Sequence, residues 1–247
     1  MIKRHSFVLT LAAIFLLLSG VTYLIHYLIF RDVHHIVIYL VGDLAFLPIE
    51  VFLVVIVIER ILSRREKQIT LQKLNMVMGA FFSEVGSQLL GDLLRCFDSF
   101  DSIRHRLAVS EDWTPSDFRN AITFARSIGG RVDCRGIDLD ELKEFLIQRR
   151  QFLLRLLENP NLLEHDRFTD LLWAIFHLTE ELEARPSMAN LPESDLAHIA
   201  GDIQRAYRQL VTEWISYVEH LKRNYPFLFS LVARTHPFQD HPSPIVT

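Results

Sequence analysis

The chain has 247 residues, half of them hydrophobic, with 26 Lys and Arg against 30 Asp and Glu and a net charge of −4. That mildly acidic balance excludes a nucleic-acid binder, which needs a dense basic face for phosphates. Two cysteines at widely separated positions, without a Cys-x-x-Cys pair, exclude a disulfide scaffold and read as packed, inert thiols.

The first elements are two long apolar runs, Phe7 to Phe30 and Ile36 to Ile58, joined by Arg31-Asp32-Val33-His34-His35. A membrane-spanning helix needs about 20 apolar residues and satisfies its own backbone hydrogen bonds. The pair therefore predicts a two-helix transmembrane hairpin within residues 1–67. Lys3 and Arg4 precede the first run, and Arg60, Arg64, Arg65 and Lys67 follow the second. This distribution predicts a multi-pass cell-membrane protein with both termini cytoplasmic, and the basic flank suits anionic lipid head groups. A cleaved leader ending near Ser19-Gly20 is the rival reading, but the apolar run continues through Tyr23, Leu24 and Leu28.

The second run carries two carboxylates, Asp43 and Glu50, seven residues apart and so on one face, with Tyr39 and Phe46 on the same stripe. A charge at mid-bilayer costs a few kcal/mol even on permissive scales, about 3 kcal/mol, so each acid needs a partner, water or a proton. Folding the hairpin about Val33 sets Asp43 beside Tyr23, with Ser19, Thr22 and His26 on neighbouring turns. The same register sets Glu50 opposite Phe15, Leu16 and Leu17, which offer it nothing polar. Pro48 removes a backbone hydrogen bond and favours a kink near Leu44. Glu50 thus points to a second copy of the chain. The expectation is a homo-oligomer, with an alternative in which Asp43, Glu50, Tyr39, His26 and Tyr23 line a cation or proton pathway.

Residues 68–235 read as a cytoplasmic antiparallel helical bundle with 19 Lys and Arg against 25 Asp and Glu from residue 68 onward. Leu71, Leu74, Met78, Phe81, Val85, Leu89, Phe97 and Phe100 recur at helical spacing, predicting one or two long helices to about Leu107. Gly79, Ser83 and Gly86 share a face where another helix approaches closely. The apolar character of Leu74 to Leu94 is equally compatible with a helix lying in the membrane interface, although its acidic residues and lack of Lys and Arg favour the domain core. Thr114-Pro115 opens the next helix and Gly129-Gly130 ends it. Asp138 opens another, closed by Asn159-Pro160. A helix from His165 to about Arg185 carries Trp173 and His177 off its main stripe, which predicts a helix either central in its bundle or part of an interface, the central place being favoured. The last long helix runs from Glu193 to about Arg223, a short one follows from Pro226 to Ala233, and the proline-rich tail 236–247 is expected to be disordered.

Catalytic signatures are absent: no phosphate-cradling glycine loop, no His-Glu-x-x-His and no nucleophile elbow. His177 with Glu180 and Glu181, and His198 with Asp202, are acid and imidazole pairs at helical spacing. Because His177 lies off the apolar stripe, they read as solvated polar faces rather than metal ligands. The chain is expected to be no enzyme and to need no cofactor and no metal. Its predicted partners are the lipid bilayer, a second copy of itself and a cytoplasmic protein.

Overall fold

A computed structural model describes the backbone of residues 2–162 and 165–245, and side chains within that range from residue 10 onward except 67–72 and 161. The side chains of Lys3, Arg4, Phe7, Lys67 and Leu71, together with the last two residues of the tail, lie outside the described residues. Among the described residues the fold is all-helical, with one isolated bridge, Phe97 to Val132, and no strand. The chain divides into two compact units, Met1–Lys67 and Gln68–Thr247.

In the first unit, α1 (Ile2–Phe30) turns through Arg31, in a left-handed conformation at φ 51°, into α2 (Val33–Phe81). Asp32 caps α2, its Oδ1 accepting from the backbone N–H of His34 at 2.9 Å and of His35 at 3.3 Å. Two stretches, Thr10–Phe30 and Val33–Glu66, are long and apolar enough to cross a membrane, and neither is buried within the protein. α2 runs uninterrupted through Pro48.

The second unit begins within α2. A π-helical turn (Phe82–Gly86) leads into α3 (Ser87–Leu94) and α4 (Phe100–Leu107). Of the one or two helices expected here, the first runs on through the π turn to Leu94, and a break before Phe100 sets off α4. The break at Arg95 to Ser99 lets Cys96 and Asp98 exchange backbone bonds with Asp133 and Arg131. The segment is core rather than membrane surface: Leu74, Met78, Phe81, Val85, Leu89, Leu90 and Leu93 are all buried inside this unit. α5 (Pro115–Ser127) starts with Thr114 donating its backbone N–H to Asp117 Oδ2 at 2.7 Å. α6 (Leu139–Leu157) starts at Asp138, whose Oδ1 accepts from the N–H of Asp140 and Glu141. α7 (Asp166–Ala184), α8 (Glu193–Asn224) and α9 (Pro226–Thr235) follow.

The central helix is α8 rather than α7. It packs against α3, α5, α7 and α9 and buries Tyr207, Trp214 and eleven other side chains along its length. α7 packs chiefly on α6 and α8, and Trp173 on its outer side is 57% exposed, edge-on to Phe176. A helix apolar on two faces has here put one of them in water. The tail also departs from expectation. His236 and Phe238 are buried, their rings 5.3 and 5.0 Å from that of Trp214, so the proline-rich stretch begins as part of the core. His236 Nε2 bonds the Val109 carbonyl at 3.1 Å while Nδ1 accepts from the Phe238 N–H at 3.2 Å, which fixes one neutral tautomer.

Candidate functional site

Within the first unit a cleft of about 620 Å³ is lined by Ser19, Thr22, Tyr23 and His26 from α1 and by His35, Tyr39 and Asp43 from α2. Four of the sequence-selected residues, Tyr23, His26, Tyr39 and Asp43, thus share one cleft, whose lining also includes Phe15, Leu18 and Ile36. His26 Nε2 is shielded there without a hydrogen-bond partner, its ring 5.8 Å from that of His35, which in turn lies 4.8 Å from the Tyr39 ring. Thr22 returns its hydroxyl to the Leu18 carbonyl, as helix-borne threonines do. Glu50 is not part of this cleft. It is exposed, and among the described residues no side chain of the protomer bonds it.

The second unit holds a polar seam that joins the two acid and imidazole pairs singled out in the sequence, His177 with Glu181 and His198 with Asp202, and extends past them. α7 and α8 run antiparallel, with Glu181 beside His198, His177 beside Asp202 and Arg167 beside Glu213. The periodicity of α8 puts residues 198, 202, 205, 209 and 213 along one stripe facing α7. Toward its far end the seam opens into a cleft of about 580 Å³ lined by Arg126, Arg167, Arg205 and Arg208, with Asp170 and Glu213. Glu213 is 2% exposed and its oxygens have no hydrogen-bond partner; Arg167 Nε stands 3.5 Å from Oε1. Burial pushes its carboxyl above the usual range, and Arg167 and Arg126 draw it partly back. Four guanidiniums against two carboxylates make this a locally positive cleft in an otherwise acidic domain.

At the other end of the seam, His177, Glu181, His198 and Asp202 come together. These are not separate solvated faces. Asp202 is 3% exposed, because α7 covers it, and only a view of both helices at once reveals that.

Both units are matched by family profiles, one described as "MJ1433, N-terminal helical domain" over residues 3–62 and one as "Uncharacterized protein MJ1433, C-terminal helical domain" over residues 70–234. The chain belongs to the MJ1433 family. It is 44% identical over 238 residues to the uncharacterized protein MJ1433 of Methanocaldococcus jannaschii, which spans 96% of this chain and 95% of that one. The two family domains of MJ1433 fall on the two compact units, Met1–Lys67 and Gln68–Thr247. No solved structure matches the chain.

Proposed function

We propose that this MJ1433-family protein is a self-associating membrane anchor that carries a helical binding module on the cytoplasmic side. The observation that carries the reading is Glu50, a carboxylate on an apolar helix with no partner among the described residues of its own protomer. Asp43 lines the hairpin cleft with Thr22, Tyr23, His26, His35 and Tyr39, whereas Glu50 is not part of that lining, so a neighbouring copy is its simplest source of hydrogen bonds. The basic residues at Arg60, Arg64 and Arg65 support a cytoplasmic second unit. The arginine-lined cleft supports a binding role for that unit, toward a carboxylate or phosphate of a partner. Nothing in this reading calls for catalysis.

Glu50→Gln keeps hydrogen bonding and removes ionisation, and Glu50→Leu removes both. Mass measurement in lipid nanodiscs is expected to give oligomers for the wild type and Glu50→Gln and monomers for Glu50→Leu. A monomeric wild type overturns the proposal. The second reading, a cation or proton pathway, is favoured by the grouping of His26, Tyr23, Tyr39 and Asp43 in one cleft. It predicts liposome conduction that Asp43→Asn abolishes while assembly persists.

A further inference from the structure

We propose that His177, Glu181, His198 and Asp202 form a binding site for one divalent ion of the zinc class, which clamps α7 to α8. Each helix contributes an imidazole and a carboxylate four residues apart, His177 and Glu181 on α7, His198 and Asp202 on α8, and the antiparallel pairing brings both imidazoles to 3.5 Å from Asp202 Oδ2. Glu181, His198 and Asp202 each offer a ligand atom within 4.8 Å of the others.

The separations are those of ligands around a shared ion. His177 Nε2 and His198 Nε2 each stand 3.5 Å from Asp202 Oδ2, His198 Nε2 is 3.5 Å from Glu181 Oε2, and His177 Nε2 is 3.9 Å from Glu181 Oε1. A charge-assisted hydrogen bond would draw such atoms to about 2.8 Å. A tetrahedral ion with bonds of about 2.05 Å holds its ligands about 3.3 Å apart. Asp202 Oδ2 is moreover buried without a hydrogen-bond partner, a costly state for a carboxylate oxygen that a cation would relieve.

The surroundings orient the ligands. Arg205 Nη1 donates to the other oxygen of Asp202 at 3.0 Å, leaving Oδ2 turned to the two imidazoles. Arg185 donates to Glu181 Oε2 at 2.9 Å and is itself neutralised by Asp195 at 2.6 Å. Such outer partners fix ligating carboxylates in place. The two arginines are themselves offset by three carboxylates, Arg185 by Glu181 and Asp195 and Arg205 by Asp202. His177 and His198 are about half exposed, which gives the ion a way in. Two imidazole nitrogens with two carboxylates favour zinc and its first-row neighbours over calcium or magnesium, which prefer oxygen alone.

The test uses the full-length protein in detergent, stripped with chelator and titrated with Zn²⁺, and with Co²⁺ for its visible absorption bands. The expected result is one ion per chain, preferred over Ca²⁺. His198→Ala and Asp202→Asn should each weaken binding by at least about 100-fold, whereas His220→Ala, on the far part of α8, leaves it unchanged. His198 is half exposed, so its replacement leaves the fold intact, as far-UV circular dichroism will verify. Absence of saturable binding in the folded wild type, equal affinity for Ca²⁺, or binding that survives both substitutions would each overturn the assignment.

Discussion

Acidification should selectively unfold the helical domain through His236. Its ring is 4% exposed, wedged against Trp214 and Phe238, and both nitrogens are committed to the backbone in the neutral form. Burial holds its pKa down at about 4, against an ordinary value of 6.5, while the bond to Val109 pulls weakly the other way. Above pH 6.5 folded and unfolded chains both carry a neutral ring, and the stabilisation is fully present. Between 6.5 and about 4 the unfolded chain takes up a proton that the folded chain refuses, so stability falls with pH throughout that window. At about 1.4 kcal/mol per pH unit, the total loss by pH 4 is about 3 kcal/mol. All three tryptophans, Trp113, Trp173 and Trp214, lie in the second unit, so urea unfolding followed by tryptophan fluorescence in detergent reads that unit alone. Other groups titrate in the same range. Glu213, whose carboxyl is pushed up by burial, shifts stability in the opposite sense. The informative quantity is therefore the difference between wild type and His236→Gln, in which Glu213 cancels. That difference should change by about 3 kcal/mol from pH 6.5 to 4. A flat difference curve would refute the burial of the tail.

Further outcomes follow from the packing. A Cβ at Gly86 would lie 2.5 Å from a Phe82 ring carbon and 2.8 Å from one of Phe81, both buried, so Gly86→Ala should cost about 1–3 kcal/mol in the same unfolding assay. Cys96 and Cys134 are buried and burial raises their thiols to about 12 and about 11, so neither should react with iodoacetamide at pH 8 until urea unfolds the domain. Asp138→Ala removes two capping bonds at the start of α6 and should cost about 1 kcal/mol. Glu213→Gln removes a buried negative charge from the arginine cleft and should tighten the binding of pyrophosphate, measured by calorimetry.

Helix identity was largely legible in the sequence because its causes are local. Asp138 and the Thr114-Pro115 start are capping chemistry within one turn, and the hydrophobic stripe of residues 193–223 needs only a 3.6-residue period to be recognised as α8. The shared depth of Asp43 and Tyr23 was legible too, since a short link between two antiparallel helices leaves one simple register, and Tyr23, His26, Tyr39 and Asp43 line one cleft. The break after α3 was not legible, because it is made by backbone bonds to residues 131 and 133, more than thirty positions away.

Sequence alone determined the two apolar helices and the all-helical second unit, because length, hydropathy and period are properties of consecutive residues. Tertiary structure alone decided that α8 is central, that His236 and Phe238 close the core, and that Asp202 and Glu213 are buried. The physical reason is that one helix's periodicity says which residues share a face, while the exposure of that face depends on which other helix arrives to cover it. Trp173 reads as core and is exposed; Asp202 reads as surface and is buried.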